Sequence, residues 1–227
     1  MKNALSFRIP EEYLVPAIMG TVALVIHAII NPHYGFFRDE LYFIICGRHP
    51  DWGYVDQPPL VPLLAAGSQA FGISLFLLRL VPALFAAGGV FVTARLVREF
   101  GGGAFAQVFA SLCVLLAPVL ATFGMQLGPD SVGLWLWPLA ALYVARIAQG
   151  ADPRLWLAVG AILGIAGEAK YSVLFFGVAL LIGIALSPSR RILLTPWMPA
   201  GVALAIAIVA PNLAWQAAHG WPMIELL

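Results

Sequence analysis

The side chains that could do chemistry are concentrated in residues 31–60, which hold four carboxylates, two arginines and two histidines. The whole chain is 62% hydrophobic and only 10% charged, so this concentration predicts a polar site. Arg38-Asp39-Glu40 directly follows an apolar segment. A carboxylate placed there can act as a general base towards an acceptor hydroxyl. Alternatively, Asp39 pairs with Arg38 and stabilises the first turn of a helix. The spacing favours neither interpretation over the other.

The second candidate is the segment Tyr54-Val55-Asp56-Gln57-Pro58-Pro59. A residue before proline is held extended, and two successive prolines stiffen the backbone. This segment is therefore predicted to present Asp56 and Gln57 in a fixed direction. The alternative is a rigid loop closure that binds no ligand.

Charged residues at two later breaks between apolar blocks are further candidates. Asp130 follows Gly128-Pro129 and could be a binding residue or the N-cap of the next helix. Glu168 and Lys170 interrupt a long apolar stretch, where charges are costly unless they are paired or face a polar cavity. Function is the default hypothesis at this break. The alternatives are a Lys170–Glu168 pair and a lysine that extends to the membrane interface.

A metal site is the less favoured interpretation of the histidines. None of the four has the close spacing of a paired metal-ligand motif; they are His27, His33, His49 and His219. The residues predict no metal ligand, although they do not decide whether the protein uses a divalent cation.

The elements that must position these residues are membrane-spanning helices. A soluble domain would be near half apolar and about a quarter charged, whereas this chain is far more apolar. The apolar residues form long blocks without the alternation of a transmembrane β-barrel, which predicts an all-α polytopic membrane protein. The formal net charge of +1 gives no indication of a nucleic-acid partner.

The apolar blocks predict about seven spans. They cover residues 13–30, 75–97, 105–123, 132–147, two spans within 155–186 separated at 168–171, and 197–210. Residues 40–47 are too few to span and predict an interfacial helix in the first loop, and residues 60–70 predict a second amphipathic or partly inserted piece. Together these segments predict a single transmembrane module over residues 1–227.

The distribution of basic residues predicts the orientation. Alternate turns divide these residues eight against four, and the larger group predicts a cytoplasmic amino terminus; it comprises Lys2, Arg8, Arg95, Arg98, Arg146, Arg154, Arg190 and Arg191. The polar turns after spans one, three, five and seven would then share the extracytoplasmic face. This asymmetry places the predicted function on that face.

These motifs also carry a family resemblance. The first loop, with Tyr34-Gly35-Phe36-Phe37-Arg38-Asp39-Glu40-Leu41-Tyr42 and Gly53-Tyr54-Val55-Asp56-Gln57-Pro58-Pro59, resembles that of bacterial dolichyl-phosphate-mannose-protein mannosyltransferase-like proteins. These are polytopic membrane glycosyltransferases of the GT-C fold, related to lipid A aminoarabinose transferases. The resemblance continues through Gly128-Pro129-Asp130, Ala169-Lys170-Tyr171-Ser172 and residues 211–222.

The resemblance implies an enzyme of the bacterial plasma membrane. Such enzymes move a sugar from a polyprenyl phosphate carrier to a lipid, glycan or protein acceptor at the outer face. It implies that Asp39 is the catalytic base and that Asp56 and Gln57 line the donor site. The remaining implied substrate-binding residues are Arg38, Glu40, Tyr54, Asp130, Lys170 and Tyr171. No cofactor follows with certainty.

Two departures from the family qualify these expectations. Several relatives carry lysine where this chain has Gln57, so Arg38, Arg79 or Lys170 would have to neutralise the carrier phosphate. Relatives usually have more spans and a soluble outer domain, so we expect this chain to resemble the N-terminal part of an enzyme. The alternatives are a transporter or lipid-binding membrane protein without chemistry, and an inactive fragment.

Overall fold

The computed structural model describes residues 10–225, and within that range the regular structure is entirely helical. Lys2, Arg8, Leu226 and Leu227 lie outside the described residues. Two short 3-10 helices cover Asn31–His33 and Pro188–Leu194. The α-helices are α1 (Glu11–Ile30), α2 (Arg38–Arg48), α3 (Leu60–Ser68), α4 (Leu75–Glu99), α5 (Ala104–Leu116), α6 (Pro118–Met125), α7 (Pro129–Ala148), α8 (Leu155–Gly167), α9 (Val173–Ala185), α10 (Trp197–Ala218) and α11 (Pro222–Glu225).

Four of these helices are long and apolar enough to cross a membrane, namely α1, α4, α7 and α10. Two bent pairs raise the number to as many as six: α5 with α6, and α9 with the 3-10 helix that follows it. The predicted fifth span is α8, which is apolar but has only 13 residues. The prediction of a polytopic membrane helix bundle is thus confirmed, while the predicted number of about seven spans exceeds the four to six found among residues 10–225.

The third predicted span is not one continuous helix. It bends by 68° between α5 and α6. Pro118 lacks an N–H, and its ring would clash with a preceding helical turn. The ring also disfavours the helical conformation at the residue before it. Ala117 is accordingly extended, with φ −66° and ψ 119°. The predicted third span, 105–123, therefore corresponds to a bent pair of helices.

The last predicted span is longer than expected. The sequence predicted its end at Ala210, before Pro211, but α10 continues through Pro211 to Ala218. Prolines are tolerated inside membrane helices when neighbouring groups satisfy the backbone that they free. The polar residues Asn212 and Gln216 therefore lie on a helix and not in a loop.

The long helices pack in a row in which α1 contacts α4, α4 contacts α7, α7 contacts α8, and α8 contacts α10. The crossing of α8 and α10 depends on Gly160 and Gly201, because a Cβ on either would collide with backbone of the opposite helix. Small residues allow such a close approach of two backbones. The resulting van der Waals packing drives helix association in lipid, where there is no hydrophobic driving force between helices.

The two short helices of the first loop cover one end of this row. Residues 40–47 were predicted as an interfacial helix and residues 60–70 as an amphipathic or partly inserted piece. Both segments are helical, with slightly different bounds, as α2 and α3. α2 turns Phe43 and Ile44 towards the core, where they join Val61 and Ala65 of α3. The core continues into α4 and α7, so α2 is a packed part of the bundle. The side chains at its amino terminus consequently have a rigid support.

Candidate active site

Glu40 of α2 and Arg79 of α4 form an ion pair that is buried inside the bundle. Nε of Arg79 donates to Oε1 of Glu40 at 3.0 Å, and Nη2 donates to Oε2 at 2.8 Å. The side chain of Glu40 is 0% exposed and that of Arg79 is 5% exposed. A buried pair of this kind is tolerated only when further hydrogen bonds satisfy both partners.

The remaining donors and acceptors of the pair are also occupied. Arg79 donates to the backbone carbonyls of Asn31, Tyr34 and Gly35. Glu40 accepts from the backbone N–H of Phe37 at 2.9 Å and of Leu127 at 3.3 Å. The pair thereby joins the end of α1, the first loop, α4 and the segment before α7.

This geometry changes two expectations. Arg79 was one of three candidates for neutralising a carrier phosphate, but all its N–H groups are used inside the bundle. Glu40 was expected to bind substrate, yet its carboxylate faces Arg79 and is buried. Both residues hold the first loop in place. The position of Arg79 near the start of the apolar block 75–97 was the available sequence signal, because a charge in such a block needs a partner.

Asp39, the neighbour of Glu40, lies on the outside of the same helical turn. Its carboxylate is 48% exposed and accepts from Nε of Arg38 at 3.0 Å, so the pair of the alternative interpretation is formed. Arg38 itself is 87% exposed, and its terminal nitrogens are accessible. Exposed pairs of this type are weak, so both groups can exchange their partner for a ligand.

An open depression of about 560 Å³ lies beside this turn. It is lined by Arg38, Asp39, Tyr42, Val55 and Asp56. The hydroxyl of Tyr42 donates to Oδ1 of Asp56 at 2.6 Å. Burial, together with the nearby carboxylate, raises the pKa of Tyr42 above its ordinary value of 10.0, which keeps this hydroxyl a donor. Two expected site acids, Asp39 and Asp56, therefore share one rim.

The other two expected residues of the first loop point inward. The hydroxyl of Tyr54 shares its one proton between the backbone carbonyls of Cys46 and His49, which closes the loop onto the end of α2. Gln57 is 5% exposed, and neither its Nε2 nor its Oε1 has a hydrogen-bond partner among the described residues. Neither side chain lines the depression.

Asp130 and Lys170 form a second polar group. The amine of Lys170 donates to Oδ1 and Oδ2 of Asp130 at 2.8 and 3.1 Å, and both side chains are almost half exposed. The N-cap of α7 is Gly128, so the alternative of Asp130 as N-cap was wrong. The alternative pairing of Lys170 with Glu168 is not formed either. Lys170 does not line the depression at Asp39.

Glu168 lies in the turn after α8, with Oε1 buried and without a partner among residues 10–225. Burial raises the pKa of Glu168 to about 7. Its backbone carbonyl accepts from the N–H of Leu60 at 2.9 Å, which ties this turn to the first loop. Tyr171 of the same turn donates its hydroxyl to Oδ1 of Asn212 on α10.

The polar turns thus meet at one end of the bundle, which we call the acidic end: the segments that follow α1, α6 and α8, together with the last turns of α10. The opposite end carries ordinary connectors, with Arg95 paired to Glu12 and Arg146 paired to Glu99. Within residues 10–225, no three His, Cys, Asp or Glu side chains are grouped closely enough to hold a metal ion.

Comparison with known proteins identifies a family and a relative. The sequence profile of the family described as dolichyl-phosphate-mannose-protein mannosyltransferase matches residues 56–215. The lipid A galacturonosyltransferase RgtD of Rhizobium johnstonii is 26% identical over 186 residues, which cover 81% of this chain and 39% of that protein. The chain therefore spans about two fifths of the length of this relative. No solved structure gives a significant match.

Proposed function

Because the chain belongs to the dolichyl-phosphate-mannose-protein mannosyltransferase family, we propose that it is a membrane glycosyltransferase that uses a polyprenyl-phosphate sugar donor, with Asp39 as general base. The observation that carries this proposal is the exposed Asp39 carboxylate on the rim of an open depression, next to the buried Glu40–Arg79 pair. The family match begins after Asp39, so the role of this residue depends on the geometry.

The proposed reaction is a displacement at the anomeric carbon. The acceptor oxygen forms the new bond to that carbon while Asp39 takes the acceptor proton. The bond between the anomeric carbon and the phosphate oxygen breaks, and its electron pair leaves with the polyprenyl phosphate. A carboxylate within hydrogen-bond reach of the acceptor hydroxyl is suited to this role.

Arg38 is the best candidate for balancing the charge of the departing phosphate. Arg79 has no free donor, and Lys170 does not line the depression at Asp39. The Arg38 guanidinium is exposed beside Asp39 and can form bidentate hydrogen bonds to a phosphate. Asp56 accepts from Tyr42 and has a second oxygen that can accept from a sugar hydroxyl.

The proposed location of the site is the extracytoplasmic face of a bacterial plasma membrane. Support comes from the eight-to-four division of basic residues in the sequence and from the convergence of the polar turns at the acidic end. The same convergence disfavours a transporter, because transporters place their ion and substrate sites near the bilayer midplane.

Because the relative is a lipid A galacturonosyltransferase, galacturonic acid is the first donor sugar to assay and lipid A is the first acceptor. The experiment reconstitutes the full chain in liposomes with radiolabelled polyprenyl-phosphate galacturonic acid and, separately, polyprenyl-phosphate mannose. Lipid A, a glycan and a peptide serve as acceptors. We expect label to move to one acceptor. Donor binding without transfer to any acceptor would instead support the lipid-binding alternative.

A further inference from the structure

We propose that Asn212 and Gln216 of α10 are positioning residues that hold residues 52–57 of the first loop in place for sugar transfer. We call residues 52–57 the acidic loop, since they carry Asp56. The catalytic part of this inference rests on the proposed function. The structural part, that α10 fixes the acidic loop, depends on contacts alone.

The side-chain amides of α10 bind the backbone of the acidic loop. Nδ2 of Asn212 donates to the carbonyl of Trp52 at 2.7 Å, and Nε2 of Gln216 donates to the carbonyl of Tyr54 at 3.0 Å. Residues four apart lie on the same face of a helix, so both amides reach the loop together. Asn212 is 0% and Gln216 is 1% exposed. Two buried polar side chains on a membrane helix are therefore directed at one loop.

The oxygens of both amides are bound as well, so neither side chain can turn away freely. Oδ1 of Asn212 accepts from the hydroxyl of Tyr171. Oε1 of Gln216 accepts from the backbone N–H of Met223 at 3.4 Å. Rotation of either amide would leave buried groups unpaired, which is costly. Through Asn212, the turn that holds Lys170 and Tyr171 is connected to the acidic loop.

Gly53 allows the acidic loop to approach α10 this closely. A Cβ at this position would lie 2.6 Å from Cε3 of Trp215 and 2.7 Å from Nδ2 of Asn212. Any larger residue would push the loop away from the helix. The glycine and the two amides thus form one docking arrangement.

The acidic loop is held on its other side by α2, because Asp56 accepts from Tyr42. The contacts with α10 therefore help to set the position of Asp56 relative to Asp39 across the depression. Misplacement of a site group by about 1 Å can reduce a rate by roughly 100-fold. Loss of the α10 contacts should consequently lower kcat more than it changes KM for the donor.

The test uses Asn212→Ala, Gln216→Ala and Gly53→Ala in the full chain in detergent micelles and liposomes. Gly53→Ala removes no hydrogen-bonding group, so it covers the case in which the amide variants fail to fold. Gln107→Ala is the matched control. Gln107 is 2% exposed and donates to the carbonyl of Gly102, at the opposite end of the bundle. Hydrogen exchange, Tm and transfer from radiolabelled polyprenyl-phosphate galacturonic acid are measured.

We expect faster backbone exchange confined to residues 52–57 in the three test variants, and a fall in kcat of about 10- to 100-fold with a nearly constant KM. Gln107→Ala should leave both unchanged. Unaltered exchange in the acidic loop, or normal kcat despite faster exchange, would overturn the proposal. Absence of transfer by the unaltered protein would overturn the proposed function and the catalytic part of this inference, while the exchange data would still decide whether α10 holds the loop.

Discussion

Glu40 and Arg79 form a bidentate ion pair inside the bundle, with hydrogen bonds of 3.0 and 2.8 Å between the guanidinium and the two carboxylate oxygens. The pair joins α2 to α4 and orients the helical turn on which Asp39 lies. Asp39 and Glu40 are adjacent acids in the sequence with opposite environments. One is exposed at the depression, and the other is buried as part of the scaffold.

Replacement of Arg79 by methionine should strongly destabilise the fold, because it leaves the Glu40 carboxylate buried without its partner. Breaking one side of a buried pair costs about 3–5 kcal/mol. Arg79→Lys should recover only part of this loss, since an ammonium cannot reproduce the planar set of donors. Chemical denaturation in detergent measures the effect.

The matched control is Arg146→Met at the opposite end, where the pair with Glu99 is partly exposed, at 27% and 18%. Its loss should cost about 1 kcal/mol or less. Equal effects of the two arginine substitutions would show that Glu40–Arg79 does not anchor the loop.

Glu168 should make stability depend on pH. Its pKa is raised from an ordinary 4.5 to about 7 by burial, so the folded protein retains a proton that the unfolded chain releases. Because the folded state binds more protons between these values, the free energy of unfolding should fall as pH rises from 4.5 to about 7 and then level off.

The measurement is Tm against pH for the unaltered protein and for Glu168→Gln. The substitution should flatten the curve between pH 4.5 and 7, whereas Glu225→Gln, which removes an exposed acid, should not. Identical curves for the unaltered protein and Glu168→Gln would mean that Glu168 is ionised in the fold.

Arg38→Gln should raise KM for the polyprenyl-phosphate donor by about tenfold or more, because charge-assisted hydrogen bonds to a phosphate are strong. Arg38→Lys should restore part of the binding through its charge. Arg48→Gln removes the same charge from the other end of α2 and should have little effect. Equal KM values for Arg38→Gln and the unaltered protein would show that Arg38 does not bind the phosphate, and Lys170 would become the next candidate.

The sequence predicted the helix bundle and the two helices of the first loop because apolar run length is a direct signal of both. It also singled out Asp39, Asp56, Asp130 and Lys170, which lie in the polar turns of the acidic end. It could not predict which acid is exposed. Asp39 and Glu40 differ by one position, and only the packing of α2 against α4 assigns Glu40 to the interior.

The contacts of α10 could not be predicted for a different reason. Pro211 marked a helix end by the ordinary rule for soluble proteins, so Asn212 and Gln216 were assigned to a loop. Their hydrogen bonds to Trp52 and Tyr54 connect residues about 160 positions apart. Such pairs arise from tertiary structure and have no local signal.

The orientation is tested by thiol labelling in intact cells. Cys113 is exposed and must first be replaced. In that background we expect a membrane-impermeant maleimide to label Asp51→Cys, because the first loop is predicted to lie outside. Gly102→Cys, between α4 and α5, should react only after permeabilisation. The reverse pattern would invert the topology and place the proposed site on the cytoplasmic face.

The most direct test of the central claim is the rate of sugar transfer by Asp39→Asn. The substitution keeps the size of the side chain and removes its basicity, so kcat should fall by roughly 100-fold or more. Tm and donor binding should remain close to those of the unaltered protein. Asp152→Asn, which removes an exposed acid from the opposite end, should transfer normally. Near-normal transfer by Asp39→Asn would contradict the account. Another group would then have to take the proton of the acceptor hydroxyl, and Asp56 would be the first candidate.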